Sequence, residues 1–308
     1  MTVNRRLAVG YLLASVGAAL FSTKAIFIKL AYQERPDAAL MLAQRMIISL
    51  PVFVAIGLYA WRQQVKSGKP APALKAVLGA AAAGFIGYYI AMILDFEGLV
   101  RISAQLERLV LFTYPIFVML LGAAFFGGRI TRHGLTGAAI SYAGLAFVFR
   151  ADAGSEGPGL VTGVMLVTGS AIVFAFYQLF AKGYIVALGS VMFTAIALTA
   201  ASAACIGHYG VVSGGFDVSA SSRQWWLAAA TGLVATVIPN FLSNAGMARI
   251  GPQSFGMIAT LGPVLTIYFA VLFLGEAFGL SQAIGTALVI AGVGYYTWAE
   301  FKLTAAVE

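Results

Sequence analysis

Apolar side chains fill ten runs of this chain, near residues 7–31, 38–60, 74–97, 103–124, 133–150, 159–181, 189–212, 224–246, 253–274 and 280–299. Each approaches the roughly 17 to 25 residues that carry a helix across hydrocarbon, and none alternates with the period of two that marks a barrel strand. A helix satisfies its own backbone in a medium without water. The pattern therefore predicts an all-α integral membrane protein with ten transmembrane helices.

The runs repeat. Sliding the sequence by 148 positions lays Gly98, Arg101, Gln105, Pro115, Gly127, Gly137 and Gly144 on Gly246, Arg249, Gln253, Pro263, Gly275, Gly285 and Gly292. The first two spans of each half match at a shift nearer 153, which pairs Phe21 with Phe174, Phe27 with Phe180 and Lys29 with Lys182. The segment RADAGSEGPG at 150–159 is the clearest linker, so the chain divides into residues 1–150 and 151–308. Five crossings per half is an odd number, and the second half then enters from the opposite side. The expected architecture is two inverted five-helix repeats, which build a solute site at their shared interface and expose it by rocking.

Composition agrees with that class, since 61% of residues are hydrophobic and 10% charged. The net charge of +8 would suit nucleic acid on a soluble protein, but here its placement decides. With a cytoplasmic N-terminus, eleven bases fall on inner segments (Arg5, Arg6, Arg62, Lys66, Lys69, Lys75, Arg129, Arg132, Lys182, Arg249, Lys302) and four on outer ones (Arg35, Arg101, Arg150, Arg223). Both termini are expected in the cytoplasm of a bacterial-type inner membrane, with membrane lipid and a small solute as partners and no nucleic acid. Arg5 and Arg6 resemble an export-signal start, but the run behind them is too long and lacks a cleavage site, so it reads as the first helix. Gly137/Gly144 and Gly285/Gly292 each mark one helix face, suited to packing within the chain or to a weak homodimer.

Catalysis finds no foothold. The sequence carries no nucleophile–base motif and no phosphate-binding Gly-rich Lys loop. The one cysteine, Cys205, and two unpartnered histidines, His133 and His208, give no metal site, and no cofactor is expected. Ionisable residues within spans cost roughly 2.5 to 3.5 kcal/mol each and so point to function. They are lopsided: Lys24, Lys29, Arg45, Asp95, Glu97, Glu107 and Arg108 all lie in the first half. Lys24 and Glu107 are candidate substrate ligands, and a pair of Lys24 with Glu107 or Asp95 is the structural alternative. Helical spacing places Tyr114 with Glu107, and Tyr88 and Met92 with Asp95, as candidate cavity walls. Tyr177, Gln178 and Asn240 are polar positions in the second half and complete the candidate substrate-binding set. Pro115 and Pro263, equivalent in the two halves, are candidate hinges for alternating access.

The strings FSTKAIFIKLA, MLAQRMIISL, YPIFVMLLGAAFFGGRIT and LGPVLTIYFAVLFLGEAFGLSQAIGTALVIAGV resemble the EamA-type branch of the drug/metabolite transporter superfamily across residues 7 to 300. The most specific element is Pro263, Gly275, Glu276, Gly285 and Gly292; the first half has Gly127-Gly128 in place of the Gly-Glu pair. Glu107 and Arg108 depart from the small or apolar residues usual there. YddG-type amino-acid exporters are the subgroup the likeness brings forward, with no motif that decides it. The resemblance implies ten helices, two inverted repeats and export of small metabolites, with the third, fourth, eighth and ninth helices around a central cavity. The expected function is export of small amphiphilic metabolites, amino acids foremost, without ATP. The alternatives are a sugar-phosphate or nucleotide-sugar exchanger of the same superfamily, or a multidrug exporter.

Overall fold

The computed structural model describes the backbone of residues 3–68, 70–128, 130–153 and 158–305, with side chains throughout except at 3–6, 244, 248, 251–254, 256, 257, 259 and 300–305. The bases Arg5, Arg6, Lys69, Arg129 and Lys302, the Gln253 side chain and linker residues 154–157 lie outside the described set.

Among the described residues the chain is helical, without strands. Its helices are α1 (Val3–Ser22), α2 (Lys24–Tyr32), α3 (Ala38–Lys66), α4 (Leu74–Gly84), α5 (Ala91–Leu99), α6 (Ala104–Phe112), α7 (Tyr114–Phe125), α8 (Arg132–Asp152), α9 (Leu160–Leu188), α10 (Ser190–Val212), α11 (Ser222–Ala229), α12 (Ile238–Ala259), α13 (Leu261–Phe269) and α14 (Leu280–Ala305). Wider π-helical turns join α4 to α5 (Phe85–Ile90) and α11 to α12 (Ala230–Val237), and a third, Ala270–Leu274, ends α13. Among the described residues eight spans are long and apolar enough to cross a membrane, and Leu261–Leu274 is a shorter apolar helix.

Packing crosses between the halves. α8 and α14 run antiparallel, with Gly137 against Gly292 and Gly144 against Gly285. A Cβ on Gly137 would lie 2.6 Å from the Gly292 carbonyl oxygen, and one on Gly144 2.6 Å from that of Gly285. These contacts exchange when each residue is replaced by its equivalent 148 positions away. The Ser141 hydroxyl donates to the Val289 carbonyl at 3.4 Å, a pair that maps onto itself. A local two-fold axis between the helices has this effect. Other contacts obey the same rule: Gly163 of α9 meets Ile102, Arg101 and Gly98, while Gly10 of α1 meets Ile250, Arg249 and Gly246. The shift of 153 holds for α1 and α9 only. Gly84 packs on Ala197 and Gly232 on Ser49, so the second and seventh spans are related by 148 like the rest.

One boundary differs from expectation. Helical backbone continues from Ile238 to Ala259 across the expected junction of the runs 224–246 and 253–274, so Arg249 lies on helix rather than in a loop. The first-half junction is interrupted at 100–103, where the Ser103 hydroxyl accepts from the Leu106 amide at 3.1 Å; the equivalent of Ser103 is Gly251, which has no side chain to cap with. The chain still doubles back there. Gly17, Ala14 and Gly10 meet Ser243, Gly246 and Ile250 in descending order, yet Ser22 bonds Gly262. A straight helix at 1.5 Å per residue would carry Gly262 about 36 Å from Ser22.

The α8–α14 seam leaves no room for a methyl group. Gly144→Ala is expected to lower stability by about 1 to 3 kcal/mol despite its better helix propensity. Gly294→Ala, with nothing within 4 Å of the added carbon, is the control and is expected to be neutral or stabilising. Thermal unfolding in detergent reads both.

Candidate substrate site

Three spans are interrupted near their middles, each at a threonine. The hydroxyls of Thr23 and Thr113 donate to the carbonyls of Leu20 and Val110, both at 2.7 Å, and their amides bond the same carbonyls at 3.1 Å. Bonding to the residue three back tightens the turn and ends the α-helical ladder, so α1 gives way to α2 and α6 to α7. Thr260, the counterpart of Thr113, separates α12 from α13. Pro115 and Pro263 follow these breaks directly, at positions two and three of the new helix, where a missing N–H costs nothing.

The breaks lie against one another. The Ser22 hydroxyl donates to the Gly262 carbonyl at 3.0 Å, and the Thr266 hydroxyl to the Ser22 carbonyl at 3.2 Å, joining the break in the first span to α13. Lys24, the first residue of α2, donates to Asp95 Oδ2 of α5 at 2.6 Å and to Glu107 Oε1 of α6 at 3.3 Å. Its side chain is 18% exposed, against 5% for Asp95 and none for Glu107. One ammonium thus holds two carboxyl groups on two other helices. The second oxygens, Asp95 Oδ1 and Glu107 Oε2, are buried and receive no N–H or hydroxyl donor, and the two carboxyl groups lie within hydrogen-bonding reach of each other. Unmet acceptors in such surroundings each cost about 1 to 3 kcal/mol, more when charged, and they invite a donor. The ammonium also stands at a helix N-terminus, where a cation is unfavourable unless anions offset it.

An aromatic wall adjoins this polar centre. The Tyr177 and Tyr88 hydroxyls are 3.1 Å apart, Phe174 stacks on Tyr177, and Tyr114 meets Phe174 edge-on with centroids at 5.3 Å. Met92 packs between the Phe53 and Phe96 clusters, on the other side of Tyr88. Gln178 is exposed, within reach of the Tyr114 hydroxyl. Asn240 lies apart: its amide donates to the Thr236 carbonyl of its own helix at 2.7 Å, and it borders a small pocket with Phe53, Leu198 and Phe241. A groove of about 440 Å³ between α3, α4 and α10 has no charged lining residue.

Second-half residues are bonded to the start of α6. Glu276, which follows the left-handed cap Gly275 at φ +67°, accepts from the amides of Ala104 and Gln105 at 2.7 and 3.1 Å, capping α6 from the opposite repeat. Asp152 accepts from Ser103 at 3.2 Å and from Gln282 at 3.3 Å. Lys29 donates to the carbonyls of Leu99 and Ile102 at 3.2 and 2.9 Å. Outside the spans, Glu34 accepts from Ser221 and from Arg223, and these bonds hold its carboxyl below the usual range. Sequence reasoning missed the capping by Glu276 and the three breaks; the threonines ahead of Lys24, Tyr114 and Leu261 were the signal. Arg45, fully inside, donates to Thr236 Oγ1 at 2.9 Å and stacks its charge 5.5 Å over Phe96.

Removing the shared cation exposes the cost of the two carboxyls. Lys24→Met is expected to destabilise the protein by about 3 to 5 kcal/mol, and adding Asp95→Asn and Glu107→Gln to recover most of it. Denaturant unfolding of the purified variants measures this; equal stability of Lys24→Met and the parent would contradict the shared grip.

The profile of the EamA-like transporter family matches the chain twice, over residues 8–150 and 161–298. An "Uncharacterized transporter YcbK" of Bacillus subtilis (strain 168) is 31% identical over 315 residues, covering 94% of each chain. A solved crystal structure, titled only as that of a protein, superposes with a TM-score of 0.63 at 20% identity, covering 96% of this chain and 99% of its own, and so shares the fold. With both halves matched by the family profile, this chain is a member of the EamA-like transporter family, a multi-pass membrane transporter of the drug/metabolite transporter superfamily.

Proposed function

We propose that the protein is a secondary exporter of small amphiphilic metabolites, amino acids foremost, working by alternating access between inverted repeats at residues 1–150 and 151–308. The observation that carries this reading is the meeting of three interrupted helices at a buried Lys24–Asp95–Glu107 centre with two acceptor atoms left over. Interrupted helices at mid-membrane depth, set between pseudo-symmetric halves, are how such folds present backbone ends and charges to a solute. The crossed contacts of α8 with α14 and of α1 with α12 support the inverted relation. In this reading Leu261–Leu274 and Leu280–Ala305 complete ten crossings in a bacterial-type inner membrane, and the excess of bases on inner segments places both termini in the cytoplasm.

The site is two-sided, as an amphiphile requires. Lys24 and Glu107 form its polar end, and Tyr88, Met92, Tyr114 and Tyr177 its apolar wall, with Gln178 beside Tyr114. Tyrosine offers a ring with a polar tip, which holds a small solute without gripping it. Asn240, its amide committed to its own helix, is the candidate with the weakest claim. Pro115 and Pro263, set just beyond equivalent breaks, serve as the bending points.

Purified protein in liposomes should show counterflow of amino acids in a panel that also holds sugar phosphates and cationic amines; a signal with phosphates alone would overturn the reading. Pro115→Ala and Pro263→Ala should each slow turnover while leaving half-saturation nearly unchanged, and full turnover in both variants would end the hinge assignment.

A further inference from the structure

Among the ionisable groups inside the spans, Arg108 stands out by having nothing to bind. Lys24 has two carboxyls, Lys29 has two carbonyls, and Arg45 has Thr236 and the face of Phe96. The Arg108 guanidinium makes no hydrogen bond or ion pair among the described residues, and its Nε is buried. A half-buried guanidinium inside a span that makes no hydrogen bond of its own has donors free for an incoming anion.

Its position fits that role. A Cβ built on Gly262 would lie 2.8 Å from Arg108 Nη2, so the guanidinium rests against the second residue of α13. Arg108 makes no ion-pair contact with either acid, but it lies close enough to Lys24 and Glu107 to act on both electrostatically. The site thus sets the guanidinium of Arg108 apart from an acid cluster, Asp95 and Glu107, that Lys24 already holds.

We propose that Arg108 is the ligand for the solute's carboxylate, held by the planar fork of the guanidinium against the backbone of Gly262, with Asp95 and Glu107 taking the ammonium. This rests on the transport reading above and narrows it to solutes with a carboxylate. A guanidinium offers two parallel N–H groups that match the two oxygens of a carboxylate, which lysine cannot do.

The test compares the parent, Arg108→Gln and Arg108→Lys in liposome counterflow with three probes of one skeleton: L-leucine, its decarboxylated analogue isopentylamine, and its deaminated analogue 4-methylpentanoate. Arg108→Gln should raise half-saturation for leucine and 4-methylpentanoate about 10- to 100-fold and leave any isopentylamine flux within about twofold. Arg108→Lys should fall between the two, and the melting temperature of Arg108→Gln should be no lower than the parent's, since no bond is removed. Unchanged leucine transport by Arg108→Gln overturns the assignment, as does an equal loss for isopentylamine together with a lower melting temperature, which marks a structural role. If Arg108→Gln abolishes sugar-phosphate flux while the parent moves no carboxylate, the carboxylate assignment fails although transport stands. A parent that moves only amines ends both.

Discussion

A charge in hydrocarbon must be answered by another group, and that rule organises the interior of this protein. Lys24 is the pivot: placed at the start of a half-helix, it draws Asp95 from the third span and Glu107 from the fourth to one point. Without those carboxyls the ammonium would be expelled toward a surface, and without the ammonium the carboxyls would repel. The remaining cations follow the same rule by other means, through carbonyls for Lys29 and through an aromatic face for Arg45. Hydrogen-bonding capacity is left unmet at Arg108, at two nitrogens of Arg45 and at one oxygen each of Asp95 and Glu107.

Backbone breaks bring those charges together. Thr23, Thr113 and Thr260 each end one helix and allow another to begin, and Ser22 binds the first break to the third. The halves, related by a shift of 148 with 153 for their first helices, pack through each other, so that glycines of one repeat receive backbone of the other. The symmetry is broken at the start of α6. Glu276 caps α6 across the repeats, but its equivalent is Gly128, and the equivalents of Ala104 and Gln105 include Pro252, which has no N–H to donate. The start of α6 is therefore tied by charge-assisted hydrogen bonds that the equivalent segment of the second half does not have the residues to make.

Much of this was legible in the sequence. The apolar runs, the paired glycines and the repeat shift foreshadowed the helices and their crossed packing, because span length and close backbone approach depend on residue type alone. Lys24 with Asp95 or Glu107 was readable as a candidate pair because opposite charges within spans lower each other's cost. The breaks were not, since a threonine in an apolar run does not reveal whether its hydroxyl will bond the carbonyl three back or four back. Arg108 was visible as an oddity but not as an unpaired one: pairing is a property of neighbours in space, and Gly262 is 154 positions away. Asn240 looked equally polar, yet its amide turned to the carbonyl of its own helix. That helical turns would run through the reversal within Ile238–Ala259 was hidden because the glycine at 251 is equally at home in a turn.

The most direct test of the claim that the unanswered groups mark the solute site is an experimental structure in lipid nanodiscs with a transported amino acid bound. The account predicts density between Arg108 and the Asp95–Glu107 pair, with the carboxylate on the guanidinium beside Gly262. Density instead among Phe53, Leu198 and Asn240, with Arg108 engaged by a protein carboxylate, would contradict it.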